Sequence, residues 1–157
     1  MPRLRHLFVS PGHNYFGHHG APAGESPLLE VEEVDCRAGL GLVGDRFFDY
    51  KENYKGQVTL FDWDTFLQLR QDLGLPELSP GVLRRNLIVE GLCLPALIGK
   101  EFELQGLKLE GVEECRPCYW MDQAVKPGTE AWMKGRGGLR CRILSDGRLH
   151  KDSSSSA

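Results

Sequence analysis

The chain has 157 residues, a formal net charge of −3, and 41% hydrophobic against 26% charged residues. That length suits one domain with an ordinary core, and the acid excess argues against broad nucleic-acid binding, which needs a basic surface to displace counterions from phosphate. No apolar run approaches a bilayer span or the apolar region of a secretory leader, so no membrane segment is expected and the cytoplasm is the expected location.

Residues 4–10 read as a strand, ended by Pro11 and Gly12. The loop that follows carries His13, His18 and His19 among glycines, which suits hydrogen bonding to an anion, or metal ligation if further ligands come from elsewhere. Residues 28–36 alternate moderately, with Leu29 and Val31 on one face and Glu30 and Glu32 on the other, and read as one strand. Gly39, Gly41 and Gly44 precede Asp45-Arg46 without the context of a phosphate or dinucleotide loop, so they read as a tight turn.

Residues 57–61 read as a strand, and Asp62 as the cap of a helix. Its apolar positions Trp63, Phe66, Leu67, Leu69 and Leu73 follow a period near 3.6, with stop signals at Gly74 and Pro76. Ser79-Pro80 opens a short helical turn before Arg84-Arg85-Asn86 and the apolar run Leu87-Ile88-Val89. Two guanidinium groups at a strand entrance suit paired hydrogen bonds to carboxylate or phosphate, and an adjacent Asn can orient a polar ligand; a solvated charge pair is the plainer reading.

Residues 101–104 and 107–110 alternate around Gln105-Gly106 and read as a hairpin. Residues 129–134 read as a short helix ended by Gly135, and residues 139–144 as a last strand before the turn Ser145-Asp146-Gly147. Residues 1–150 are expected to form a single domain and the polar residues 151–157 a disordered tail.

Between these elements, the hairpin delivers Glu113-Glu114-Cys115-Arg116-Pro117-Cys118-Tyr119-Trp120-Met121-Asp122. Arg116 beside the thiols favours the thiolate, the form that attacks electrophiles and binds soft metals. A structural turn, or a zinc or thiol-redox module built on Cys115 and Cys118, is the alternative. The odd total of five cysteines fits reduced thiols, with Cys36, Cys93 and Cys141 expected as buried apolar side chains. About seven short strands with few helices make the chain mainly β with short helices (α+β), expected as a barrel with long loops at one end. Asp45, Arg46, Arg84, Arg85, Asn86 and Cys118 all fall at strand–loop junctions and are expected to converge on one pocket.

The order of Gly44-Asp45-Arg46, Arg84-Arg85-Asn86-Leu87, Leu97-Ile98-Gly99-Lys100-Glu101-Phe102 and Cys115-Arg116-Pro117-Cys118, followed by Asp122, resembles the MOSC domain. This is the family of molybdenum cofactor sulfurase C-terminal domains, and the likeness is to its small stand-alone bacterial type. The resemblance covers most of the chain and implies a MOSC-like β-barrel that binds the molybdenum cofactor (molybdopterin). It implies that Cys118 matches the family's essential cysteine, as sulfur carrier or molybdenum ligand. It also implies Arg46, Arg84 and Asn86 on the pterin's phosphate or neighbouring polar atoms, with Asp45, Arg85 and Arg116 beside them, and Asp122 positioning a substrate or water. One departure is that His18-His19-Gly20 precedes the Gly-Asp-Arg turn, where many bacterial relatives place a His-Gly-Gly segment after it.

The implied activity is sulfur transfer or reduction of N-hydroxylated compounds. With no flavin, haem or iron–sulfur motif in the chain, reduction requires an electron-donor protein, and sulfur transfer a sulfur-donor protein. A non-enzymatic carrier of cofactor or sulfur would use the same residues.

Overall fold

A computed structural model describes residues 2–11, 28–117 and 119–152. The elements in order are β1 (Arg3–Val9), β2 (Leu29–Glu30), β3 (Glu33–Arg37), β4 (Gly41–Leu42), β5 (Val58–Asp62), α1 (Trp63–Leu73), β6 (Leu87–Glu90), β7 (Glu101–Leu104), β8 (Leu107–Glu114), α2 (Trp120–Ala124), α3 (Thr129–Met133), β9 (Leu139–Ile143) and β10 (Gly147–His150). Short 3-10 turns span Pro80–Leu83 and Leu94–Leu97.

The central strands β5 and β6 are parallel and joined through α1, and both are apolar on their two faces. Because successive side chains alternate, Val58, Leu60, Leu87 and Val89 enter one core while Phe61 and Ile88 enter another. The first core is shared with Val34, Cys36, Leu42 and Leu149 of β3, β4 and β10. The second is shared with Phe66 and Leu69 of α1, Met121 of α2 and Met133 of α3. The molecule is therefore layered as small sheet, large sheet and helices.

The large sheet has seven strands in the order β2-β1-β6-β5-β9-β8-β7, and the small sheet has three in the order β10-β3-β4. Mainly β with short helices is correct; the closed barrel is not. Among the described residues no ladder joins β2 to β7, so the large sheet is open and the small sheet covers one of its faces. Edge strand β7 meets solvent with the charges of Glu101 and Glu103, which discourage further pairing.

Residues 28–36 do not form one strand, because the chain changes sheet within them. Leu29 and Glu30 pair with Val9 and Phe8 of β1, whereas Glu33 onward pairs with β10 and β4. Residues 139–144 are likewise not the last strand, since β10 follows and pairs with β3. Lys151 and Asp152 then donate backbone hydrogen bonds to the carbonyls of Glu32 and Leu4, both at 2.8 Å. Residues 153–157 of the expected tail lie outside the described residues.

Local signals do set α1 and the β7–β8 hairpin. The Asp62 carboxylate accepts from the Thr65 N–H at 2.9 Å, and Gly74 closes the helix at φ 67°. Gln105 and Gly106 both take positive φ in the two-residue turn, and the Gln105 side chain bonds the His150 backbone N–H and carbonyl. No described helix is long and apolar enough to cross a membrane.

Cys36 and Cys141 are buried, as expected, but Cys93 is exposed. It precedes the 3-10 turn in which Leu94 takes the inward position. Burial pushes the Cys36 thiol up to about 12, and burial also raises Cys141. Iodoacetamide on the native protein, read by peptide mass spectrometry, is expected to label Cys93 and spare Cys36, which is both buried and held as the thiol. Labelling of Cys36 should appear only when denaturant opens the fold.

Gly138, at φ 107°, lets β9 approach β5 so closely that a Cβ there would run into the Leu60 carbonyl. Gly138→Ala is expected to cost about 3 kcal/mol in denaturant unfolding. Gly135→Ala, at φ 80° with nothing within 4 Å, should cost only about 1 kcal/mol.

Candidate functional site

Where β1 ends and β6 begins, polar groups enter an apolar interior and must find partners there. The Asp45 carboxylate accepts from the Ser10 N–H at 3.0 Å, and from Asn86 Nδ2, Arg46 Nη1 and the Phe47 N–H at 3.3 Å each. Asn86 Nδ2 also donates to the Phe8 carbonyl at 3.1 Å, while its Oδ1 accepts from the Thr59 N–H and hydroxyl. The Asn86 amide is thereby fully engaged inside the protein, tying β6 to β1 and β5.

Arg84 sits in the left-handed region at φ 56°, a costly backbone for a non-glycine residue. Its Nη2 donates to Ser10 Oγ at 2.9 Å, and its carbonyl accepts from Arg46 Nη2 at 3.5 Å. Arg46 lies over the Phe47 ring, 4.7 Å from its centroid, within an aromatic group completed by Tyr50 and Tyr54. Burial draws the Arg46 pKa down, and the negative charge of Asp45 only partly opposes this.

Arg85 has a different assignment. Its Nε, Nη1 and Nη2 donate to the carbonyls of Gly137, Leu83 and Cys115 at 2.9, 3.0 and 3.0 Å. It holds the start of the cysteine stretch against the chain entering β9. Gly137 permits that approach, since a Cβ there would strike the Cys115 carbonyl.

The Cys115 side chain is buried. The Arg140 guanidinium, the Tyr54 phenol and the Arg46 guanidinium all lie close enough to Cys115 to be coupled to it electrostatically. Burial would lower the Arg140 pKa, but Cys115, Tyr54 and Glu113 outweigh it and the net shift is upward. Burial raises the Tyr54 phenol despite the nearby cation of Arg140.

The expected convergence thus brings Asp45, Arg46, Arg84 and Asn86 into one bonded cluster, with Arg85 linking its neighbour Asn86 to the Cys115 segment. Arg116 is exposed and faces Glu113. Asp122 Oδ1 accepts from the Glu130 N–H at 2.9 Å and joins α2 to α3. Cys118, His13, His18 and His19 lie outside the described residues. Among the described residues, no three His, Cys, Asp or Glu side chains group to hold a metal ion.

Sequence reasoning missed Tyr54 and Arg140. The available signals were the aromatic spacing of Phe47, Tyr50 and Tyr54, and the polar position of Arg140 in an alternating strand.

A family model for the MOSC domain matches residues 16–154, so the chain belongs to the MOSC domain family, which is associated with molybdenum cofactor-binding proteins. Among solved structures, the YuaD protein from Bacillus subtilis is similar at a TM-score of 0.72 and 17% identity, over 96% of this chain and 92% of that one. YiiM from Geobacillus stearothermophilus gives 0.68 and 12%, over 96% and 71%. YiiM from Escherichia coli gives 0.63 and 16%, over 93% and 66%. At these identities the likeness is one of fold. No curated protein matches the sequence.

Lysine cannot reach three separate carbonyls from one ammonium nitrogen as the Arg85 fork does. Arg85→Lys is expected to lose about 2 kcal/mol of stability. It should also speed hydrogen exchange at the Cys115 amide, which bonds the Gly138 carbonyl at 2.9 Å. A stable variant with unchanged exchange there would remove Arg85 from this role.

Proposed function

We propose that the chain binds the molybdenum cofactor at the arginine cluster, and that Cys118 works beside it by carrying sulfur or ligating the metal. The observation that carries this reading is a pair of largely buried arginines fixed in one hydrogen-bonded cluster: Arg46 lies on the Asp45 carboxylate and the Arg84 carbonyl, and Arg84 Nη2 on Ser10 Oγ. Guanidinium groups bind phosphate through paired charge-assisted hydrogen bonds, so the donor set fits the phosphate of the molybdopterin the family implies.

In this reading Arg46 and Arg84 hold the phosphate, while Asp45 fixes Arg46, Ser10 fixes Arg84, and Asn86 holds the Asp45 carboxylate. Arg85 positions the Cys115 segment that leads to Cys118, and exposed Arg116 meets the ligand's outer edge. Asp122 holds a substrate or water with the carboxylate oxygen that Glu130 does not use. When bound, the cofactor supplies two-electron chemistry at a metal centre that accepts soft sulfur donors. The Cys118 thiolate would either attack the outer sulfur of a donor protein's persulfide, breaking that S–S bond, becoming the persulfide itself and releasing the donor cysteine as thiolate, or donate to the metal. Reduction of an N-hydroxylated compound draws its electrons from a partner protein.

Protein purified from cells that make the cofactor is expected to retain molybdenum by elemental analysis and pterin by fluorescence. Arg46→Gln and Arg84→Lys should each lower retained pterin about tenfold with unchanged circular dichroism. Wild-type retention in both variants would overturn the site. Cys118→Ser is expected to keep pterin and to lose metal ligation or sulfur delivery; an unchanged metal site and unchanged sulfur delivery would remove Cys118 from either role. Turnover of an N-hydroxylated base with added reductant identifies an enzyme. Passage of cofactor or sulfur without turnover identifies a carrier.

A further inference from the structure

A cavity of about 360 Å³ opens where β5, β6 and β8 end and the chain enters β9. None of Asp45, Arg46, Arg84, Arg85, Asn86 or Cys115 lines it. Glu114, the last residue of β8, does. The volume lies within the range of small-molecule sites.

One part of its lining is apolar, from Leu92, Leu94, Pro95 and Ile98, and Ile98 is 44% exposed. The polar part is Asp62, Thr65, Glu114 and Arg136. Asp62 Oδ2 is taken by the Thr65 N–H and hydroxyl at 2.9 and 2.8 Å. Glu114 Oε2 is taken by the Gly137 N–H at 3.1 Å. Among the described residues, the second oxygen of each carboxylate has no hydrogen-bond donor and is open to a ligand. Arg136 also lines the cavity, but its Nε is committed to the Trp132 carbonyl at 2.7 Å and its guanidinium lies 3.7 Å above the Trp132 ring.

These features select the occupant. A guanidinium or amidinium binds best when both oxygens of one carboxylate are available, and here neither carboxylate offers both. An ammonium group is a point charge with three rotatable donors and suits single oxygens from separate carboxylates. We propose that this cavity binds a primary ammonium ion with an apolar body, its charge at Asp62 and Glu114 and its body against Leu92, Leu94, Pro95 and Ile98. The site shares no residue with the proposed cofactor cluster, so either stands if the other fails. Gly137 lies between the two, its N–H on Glu114 and its carbonyl on Arg85.

The test is calorimetric titration of the full chain with 2-phenylethylammonium and with uncharged 2-phenylethanol. Saturable binding of the amine is expected in the millimolar range, at least about fivefold tighter than the alcohol. Glu114→Gln and Asp62→Asn keep the hydrogen-bond acceptors for Gly137 and Thr65 while removing charge. Each should weaken the amine about fivefold and leave the alcohol unchanged. Cys93→Trp, which fills the cavity mouth, should abolish both. No saturable amine binding by about 10 mM, or equal affinity for amine and alcohol in the unaltered chain, would overturn the proposal. So would an amine affinity that neither charge-removing variant alters.

Discussion

The structure around the candidate site depends on one buried carboxylate. Asp45 receives the Ser10 and Phe47 backbone N–H groups together with the side chains of Asn86 and Arg46, so it joins the end of β1, the turn after β4 and the start of β6. A carboxylate with four donors tolerates burial, and removing one partner of such a network leaves polar groups stranded in an apolar setting. The same bonds determine where two arginines end. Arg46 is held directly, and Arg84 is held through Ser10, whose N–H bonds Asp45 and whose hydroxyl accepts from the guanidinium. Both guanidinium groups are thereby fixed at the end of β1.

A second device controls the cysteine stretch. Arg85 spans the Leu83, Cys115 and Gly137 carbonyls, and the absence of a side chain at Gly137 lets those segments meet. The adjacent arginines 84 and 85 thus do opposite things. One lies beside Ser10 at the end of β1, the other is consumed by the scaffold, because the left-handed backbone at Arg84 turns the chain between them. Glu114 closes β8 and borders a separate cavity, while Cys115, the next residue, lies near Arg140. Two distinct polar environments are therefore available at consecutive residues.

The layered architecture explains how short strands build a core without closing on themselves. β5 and β6 are covered on one face by α1 to α3 and on the other by the small sheet. Once both faces are covered, burial does not require a barrel. The change of sheet between Glu30 and Glu33 supplies the covering layer, and β10 completes it.

By itself the sequence determined what depends on neighbours along the chain. Helix α1 was legible from Asp62, the apolar period and Gly74, and the hairpin from Gln105-Gly106, because caps and turns act over a few residues. The order of the Asp45, Arg84 and Cys115 segments identified the family. Only the tertiary structure decided the open sheets, the pairing of β10 with β3, the exposure of Cys93 and the division of labour between Arg84 and Arg85. It alone brought Tyr54 and Arg140 to Cys115. Those features rest on contacts between residues far apart in the chain, where a one-residue shift in register or a single positive φ redirects a side chain, and no local pattern records such contacts.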